Sequence, residues 1–172
     1  WVKTGRLQSS VPPEILFIER CVQFLKPGGR LGIVLPDSLL GSPGLGYIRE
    51  WLIRNTFIIA SIDLDADTFQ PRNGTQTSVL ILQKKSELER AGGLEDGRGN
   101  YNIFMAMVDK TGHDKRGNPI YKRDGEGNEI LVPDEESEVE YMTENGATIA
   151  VRHKKKVPDD QTVEIPDLFR EW

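Results

Sequence analysis

The spacing of apolar residues in the first third of the chain predicts two helices. Four apolar residues recur on one helical face: Ile15, Ile18, Val22 and Leu25. They follow two prolines suited to a first helical turn, and Pro27 and Gly28 come directly after them. This spacing predicts a helix over 13–26. The apolar residues of 47–52 predict a second helix that ends near residue 55.

Three short apolar runs alternate with these helices and predict strands. They cover residues 31–35, 57–62 and 78–83, and they show little alternation with polar residues. Such runs are typical of strands that are covered on both faces, as in the sheets of α/β proteins. The order helix, strand, helix, strand, loop, strand therefore predicts the α/β class.

The composition changes after residue 86 and divides the chain into three parts. Residues 1–86 form the predicted α/β part, and the charged, glycine-containing segment 87–100 is predicted to be a surface linker. Residues 101–172 are rich in turn residues, which predicts a strand-rich extension with one or two hairpins and a short helix at its end. No internal repeat stands out.

The charge is unevenly distributed along the chain and limits what the chain alone can bind. The whole chain has 22 basic and 27 acidic residues, and residues 100–172 have 10 basic and 16 acidic ones. Neutralisation of phosphates by Lys and Arg supplies much of the affinity of DNA-binding proteins. We therefore expect the isolated chain to bind DNA poorly.

Other features of the composition predict the compartment. No apolar run approaches the roughly 20 residues that span a bilayer, so no membrane is expected among the partners. The single cysteine, Cys21, excludes an intrachain disulfide and a zinc site built from several cysteines. These features predict a cytoplasmic protein, and the start at Trp1 rather than Met predicts a fragment of a longer one.

Two clusters of residues have features of a binding site, but the surrounding sequence argues against binding in both cases. Asp63, Asp65 and Asp67 would lie on one face of a strand and suggest a metal site, but a solvated strand end is the favoured interpretation. The glycines of 28–32 precede a predicted strand, whereas the glycines of a phosphate-binding loop follow one.

Two segments resemble the N6-adenine DNA methyltransferases, especially the methylation subunits of type I restriction-modification systems. They are PPEILFIERCVQFLKPGGRLGIVLPDSLLG at 12–41 and TFQPRNGTQTSVLILQKK at 68–85. The later segments IFMAMVDKTGHDKRGNPIY and VPDDQTVEIPDLFREW are similar to the part that follows the catalytic core of this family. The resemblance is thus to the C-terminal part of the catalytic domain.

The resemblance implies a partial Rossmann-like sheet of an S-adenosylmethionine-dependent methyltransferase. The sheet of that fold has the spatial order 3-2-1-4-5-7-6, with strand 7 antiparallel. Residues 30–35, 57–63 and 77–83 would be strands 5, 6 and 7, so the chain would form the edge 5-7-6 with flanking helices. Strand 5 would have one side without a partner.

The resemblance also implies the function of the complete protein. Members of the family transfer a methyl group from S-adenosylmethionine to the N6 amine of adenine in DNA. Their cofactor loop and their Asn-Pro-Pro-aromatic catalytic loop precede the matching segments and are absent from this sequence. The chain alone is therefore expected to be inactive and to bind no cofactor, with no catalytic, cofactor-binding or metal residue assigned. DNA and the specificity and restriction subunits are the implied partners of the complete protein.

The resemblance assigns a pocket for the target base to five residues: Pro36, Asp37, Ser38, Phe69 and Thr77. Phe69 would stack on a flipped adenine, although an ordinary core position is an equally good interpretation of this aromatic residue. Arg72, in the same loop as Phe69, would contact a phosphate.

Two other functions stay open at this point. The acidic second half and the free sheet edge also suit a non-catalytic assembly module that contacts a partner protein. A methyltransferase that acts on RNA or protein is the other alternative.

Overall fold

A four-stranded sheet organises the first part of the chain in the computed structural model, which describes residues 2–3, 6–7, 9–91, 101–144 and 147–172. The helices and strands follow the chain in this order: β1 (Val2–Lys3), β2 (Arg6–Leu7), α1 (Pro13–Phe24), β3 (Arg30–Pro36), α2 (Asp37–Gly41), α3 (Gly46–Asn55), β4 (Thr56–Asp63), β5 (Thr77–Lys84), α4 (Glu87–Ala91), β6 (Phe104–Met107), β7 (Leu131–Pro133), β8 (Val139–Glu144), β9 (Ala147–Arg152), β10 (Lys154–Lys156) and α5 (Ile165–Glu171). Short 3-10 helices lie at Pro43–Leu45 and Thr162–Glu164.

The spatial order of the sheet is β3-β5-β4-β6. β5 is antiparallel to both of its neighbours, β3 and β4. This confirms the predicted edge 5-7-6 with an antiparallel strand 7, and with it the α/β fold class. β6 adds a fourth strand that runs parallel to β4 and that the sequence did not assign to this sheet. β3, β4 and β6 consequently all run in the same direction.

The hydrophobic core lies between the helices and one face of the sheet. Among the described residues, one cluster of this core consists of eight buried residues from α1, α2, α3, β3 and β5: Ile15, Ile18, Leu35, Leu39, Ile48, Leu52, Leu80 and Leu82. Each such aliphatic side chain contributes roughly 1.5–3 kcal/mol when it leaves water. On the opposite face of β3, Gly32 and Val34 are exposed.

Both predicted helices are present. α1 ends two residues earlier than predicted because Leu25 has an extended backbone. Gly28 then adopts a positive φ of 77°, and its N–H donates to the carbonyl of Lys84 at 2.8 Å. The glycine turn therefore ties the end of α1 to the end of β5. α3 ends at Asn55, where the sequence predicted its end.

The predicted division of the second half is only partly visible. The first residues of the predicted linker form α4, and the rest of that linker, 92–100, lies outside the described residues. At the end of the chain, α5 contacts β6 through aromatic rings: the ring of Phe104 lies 5.2 Å from that of Phe169 and 5.8 Å from that of Trp172.

Residues 109–133 and 154–161 form a structure that we call the ladder. β7 pairs with β10. Before β7, the chain forms two bridges to the segment that follows β10, and these bridges are ten residues apart: Thr111 lies opposite Asp160, and Tyr121 lies opposite Pro158. A turn follows each bridge, the first at 114–118 and the second at 124–128.

The two turns of the ladder have related sequences. Asp114 and Asp124 begin the turns, and Gly117 and Gly127 occupy equivalent positions with φ of 82° and 90°. The ladder thus contains an internal repeat of ten residues, Asp-x-x-Gly-Asn-x-Ile, which corrects the inference that no repeat is present.

None of the helices in the described part of the chain has both the length and the apolar character needed to cross a membrane.

Candidate functional site

The carboxyl ends of the parallel strands meet at one edge of the sheet. Pro36, the last residue of β3, lies opposite Thr77, the first residue of β5. Asp63, at the end of β4, lies opposite Met107, at the end of β6. The structure therefore brings four of the five predicted pocket residues to this edge, since Asp37 and Ser38 directly follow Pro36 as the first turn of α2.

Asp37 links the two sides of this edge through both its backbone and its side chain. Its N–H donates to the carbonyl of Gln76 at 3.1 Å, and its Oδ1 accepts a hydrogen bond from Ser78 Oγ at 2.7 Å. Ser78 was not among the predicted pocket residues. Its position, next to Thr77 in a predicted strand, was the only available signal, because the partner Asp37 is 41 residues away in the chain.

Thr77 lies in the wall of the site. Its residue exposure is 6%, and its carbonyl accepts a hydrogen bond from the N–H of Leu64 at 3.0 Å. Its hydroxyl has no hydrogen-bond partner in the described part of the chain. Such unpaired buried hydroxyls are uncommon in native proteins.

Phe69 lies in the loop 64–76, which leaves the edge after β4 and returns to it at β5. Hydrogen bonds within the loop hold its backbone, and the N–H of Asn73 donates to the carbonyl of Phe69 at 2.9 Å. The Phe69 side chain is 41% exposed, so it is not a core residue. Arg72, three residues further on, is also exposed.

The loop 64–76 contacts the first turn of the ladder. A Cβ atom placed on Gly117 would lie 3.2 Å from Cδ of Pro71, so a larger residue at this position would require the proline ring to shift by a few tenths of an ångström. A cavity of about 290 Å³ lies between the loop and the ladder, and its lining includes the carboxylates of Asp65, Asp67 and Asp109. No local pattern predicted this contact, because it joins segments that lie more than forty residues apart.

Asp63, Asp65 and Asp67 do not share a strand face. β4 ends at Asp63, and the other two residues form a turn in which Asp65 Oδ1 accepts a hydrogen bond from the N–H of Asp67 at 2.7 Å. Within the described residues, no three His, Cys, Asp or Glu side chains are grouped so that they could hold a metal ion.

The glycine turn before β3 is closed by its own hydrogen bonds. The N–H of Gly28 donates to Lys84 and that of Gly29 to Lys26, both at 2.8 Å. These donors are therefore not directed at a ligand, whereas a phosphate-binding loop needs free N–H groups.

Hydrogen bonding shifts the titration of the carboxylates in the ladder turns. Asn118, through its side-chain and backbone N–H groups, lowers the pKa of Asp114. The backbone N–H of Asn128 lowers the pKa of Asp124 in the equivalent way. Both carboxylates are thus held in their charged form as acceptors within the turns.

Similar solved structures come from methyltransferases and restriction-modification systems. They include a Listeria monocytogenes protein assigned as a class I S-adenosylmethionine-dependent methyltransferase (24% identity, TM-score 0.47, 62% of this chain and 30% of that chain). They also include the M protein of the type I restriction enzyme EcoKI (23% identity, TM-score 0.44, 63% of this chain and 22% of that chain). The chain thus spans less than a third of the length of either protein.

The match to a protein family covers the part of the chain that forms the four-stranded sheet. No curated protein matches the sequence. The profile of the N-6 DNA Methylase family matches residues 3–116, from near the start of the chain into the first turn of the ladder. Because this match covers more than half of the chain, the chain belongs to the N-6 DNA Methylase family.

Proposed function

We propose that this chain is the later part of the catalytic domain of an adenine-N6 DNA methyltransferase of a restriction-modification system. Membership of the N-6 DNA Methylase family supports the reaction class. The observation that carries the proposal is the partly exposed ring of Phe69 on the loop 64–76, which leaves the carboxyl end of β4 and returns to the sheet at Thr77, opposite the carboxyl end of β3. Ligands of α/β sheets bind at such carboxyl ends.

Each predicted pocket residue then has a role that suits its position. The exposed ring of Phe69 stacks on an adenine that has been flipped out of the duplex. Pro36, Asp37 and Ser38 form one wall of the base pocket, and Thr77 supports that wall from the start of β5. Arg72, on the same loop as Phe69, contacts a phosphate of the DNA backbone.

The remaining catalytic parts belong to the complete protein rather than to this chain. S-adenosylmethionine supplies the methyl group, and its binding loop and the Asn-Pro-Pro-aromatic loop lie outside this sequence. The chain alone is therefore inactive and binds no cofactor. DNA, a specificity subunit and a restriction subunit are the partners of the complete protein.

Methyl transfer from labelled S-adenosylmethionine tests the reaction class and the fragment hypothesis together. We expect transfer to duplex DNA by the complete protein and none by the isolated chain. Transfer by the isolated chain would contradict its inactivity. Transfer by the complete protein to RNA or protein, but not to DNA, would show that the substrate class is wrong.

Substitution of Phe69 in the complete protein tests the base pocket. We expect Phe69→Ala to lower kcat/KM on the order of 10- to 100-fold, since the stacking of one base contributes about 1–3 kcal/mol. Phe69→Trp should retain most of the activity. Phe17 provides a matched control, because it is 68% exposed on α1, and Phe17→Ala should leave the kinetics unchanged. Equal activity of Phe69→Ala and Phe17→Ala would argue against base stacking.

The free edge of β3 favours assembly as a second candidate function. In the described part of the chain, no strand pairs with the outer side of β3, and Val34 on this strand is 46% exposed. Unpaired edge strands readily pair with another chain. A strictly monomeric isolated chain in gel filtration, with no association with candidate subunits, would count against this function.

A further inference from the structure

The first turn of the ladder places basic residues next to the loop that carries Phe69. Gly117 contacts Pro71 closely enough that a Cβ atom on Gly117 would lie 3.2 Å from the proline ring. Arg72 follows Pro71, and Lys115 and Arg116 precede Gly117. Basic residues from two distant segments thus lie next to the contact between Gly117 and the Pro71 ring.

Arg72 of the loop and Lys115 and Arg116 of the turn differ from most basic residues of the acidic extension. Several basic side chains of the extension form ion pairs: Lys110 with Asp159 at 2.9 Å, Lys122 with Glu164 at 3.0 Å, Lys155 with Asp134 at 3.0 Å and Lys156 with Glu129 at 2.7 Å. Arg72, Lys115 and Arg116 are exposed, and their side chains form no hydrogen bond or ion pair within the described residues. They therefore remain available to an anion from outside the chain.

The two turns of the ladder share a backbone but differ in charge. In the first turn, Lys115 and Arg116 outweigh the single carboxylate of Asp114. That carboxylate accepts hydrogen bonds from the N–H groups of Arg116 and Asn118 at 2.8 and 2.9 Å. The equivalent positions of the second turn hold Gly125 and Glu126, which make that turn acidic. The positive charge is thus specific to the turn that contacts the Phe69 loop.

We propose that the turn 114–118 and the loop 64–76 form one surface that binds the phosphate backbone of DNA through Arg72, Lys115 and Arg116. The inference rests on the proposed function and deepens it, because it assigns part of the DNA contact to the extension. Exposed Lys and Arg side chains without protein partners suit phosphates. The carboxylates in the adjoining cavity repel phosphate, so the contact is expected outside that cavity.

The salt dependence of DNA binding by the complete protein tests this surface. Each neutralised phosphate contributes about 0.9 to the slope of log K against log salt concentration. We expect the double variant Lys115→Ala/Arg116→Ala to reduce this slope by about 1–2 and to weaken binding equally on specific and unrelated duplexes. Lys154 is the matched control, since it is exposed and unpaired within the described residues, and Lys154→Ala should leave the slope unchanged. An unchanged slope in the double variant would overturn the proposal.

A second pair of variants tests whether the turn and the loop act together. Gly117→Asn adds a side chain against Pro71, whereas Gly127→Asn adds one where nothing lies within 4 Å. Both positions have a positive φ, which asparagine tolerates better than most residues. We expect Gly117→Asn to weaken DNA binding several-fold and Gly127→Asn to have no effect. Equal effects of the two substitutions would contradict a shared surface.

The same measurements separate this inference from the proposed function. A wild-type complete protein that neither binds nor methylates DNA would overturn both. A wild-type protein that does both, combined with a double variant of unchanged salt dependence, would overturn the surface alone.

Discussion

The sheet and the ladder are stabilised by different interactions within the same chain. In the sheet, Leu82 and Ile18 are fully buried between strands and helices. In the ladder, Leu131 is 52% exposed, and the turns and ion pairs hold the chain instead. The ladder therefore depends on hydrogen bonds and charges, whereas the sheet depends on the removal of aliphatic surface from water.

This difference indicates which positions can carry residues for binding without loss of the fold. A tightly packed core does not tolerate changes of side-chain volume, so its residues are restricted to packing. In the turns of the ladder, Asp, Gly and Asn maintain the backbone conformation, so the other positions can carry different side chains. The positions between Asp114 and Gly117 are basic, and those between Asp124 and Gly127 are Gly and Glu, although the backbone is the same.

The largest expected effect comes from leucine truncation in the two regions. Leu82→Ala should lower the free energy of unfolding by about 2–5 kcal/mol, because it leaves a cavity in a fully buried site. Leu131→Ala should cost about 0.5 kcal/mol or less, as for other exposed positions. Urea denaturation followed by circular dichroism measures both values. Equal losses would remove the distinction between the regions.

Two buried threonine hydroxyls, one in the sheet and one in the ladder, should show a smaller difference in the free energy of unfolding. Thr56 Oγ1 in the sheet donates to the carbonyl of Leu52 at 2.7 Å, whereas Thr111 Oγ1 in the ladder has no partner among the described residues. Thr56→Val should therefore cost about 1 kcal/mol of unfolding free energy. Thr111→Val should be neutral or stabilising in the same denaturation experiment, and a loss at Thr111 would reveal a partner for its hydroxyl.

Acid should loosen the ladder while the sheet stays folded. Hydrogen bonds from Asn118 and Asn128 lower the pKa of Asp114 and Asp124, and hydrogen bonds from Lys156 and Lys155 lower that of Glu129 and Asp134. A lowered carboxyl pKa stabilises the fold above the ordinary values of 3.8 for Asp and 4.5 for Glu. This contribution disappears as the pH falls through the lowered folded values.

Hydrogen exchange measured by mass spectrometry checks this prediction. Protection of amides in 110–133 should fall in acid, while protection in β5 should persist. Because the carboxylates are exposed, high salt should reduce the difference between neutral and acidic pH. Loss of protection in both regions at the same pH would contradict it.

Alkaline pH should weaken the same ion pairs by removing the protons of their lysines. The hydrogen bonds that Lys155 donates to Asp134 and Lys156 donates to Glu129 raise the pKa of both lysines above the ordinary 10.5. Their stabilisation is present below that value and is lost as the pH rises through the raised folded values. Lys156→Gln should reduce the alkaline response of β10 in hydrogen exchange to the part that Lys155 contributes, and it should leave β5 unchanged.

The sequence predicted the sheet well because its signals are local. Apolar runs mark β3, β4 and β5, and Pro27 with Gly28 marks the end of the first helix. The order of the strands came from the family resemblance of residues 12–41 and 68–85, since apolar spacing alone does not specify which strands pair.

The ladder and much of the candidate site could not be predicted, because they depend on contacts between distant residues. Tyr121 pairs with Pro158, and Gly117 contacts Pro71, over separations that no local pattern reveals. The ten-residue repeat is carried mainly by Asp, Gly and Asn, which a pattern of apolar spacing does not reveal. Phe69 was predicted as a site residue or a core residue, and only the structure shows that its ring is exposed.

The position of β5 between β3 and β4 has a consequence for synthesis on the ribosome. β3 and β4 do not pair with each other, so each waits for a strand that is translated after both. Arg30 finds its opposite residue only when Gln83 has left the exit tunnel. During that interval the nascent β3 lacks its partner strand, so its apolar side chains and unpaired backbone groups are open to contact with other chains.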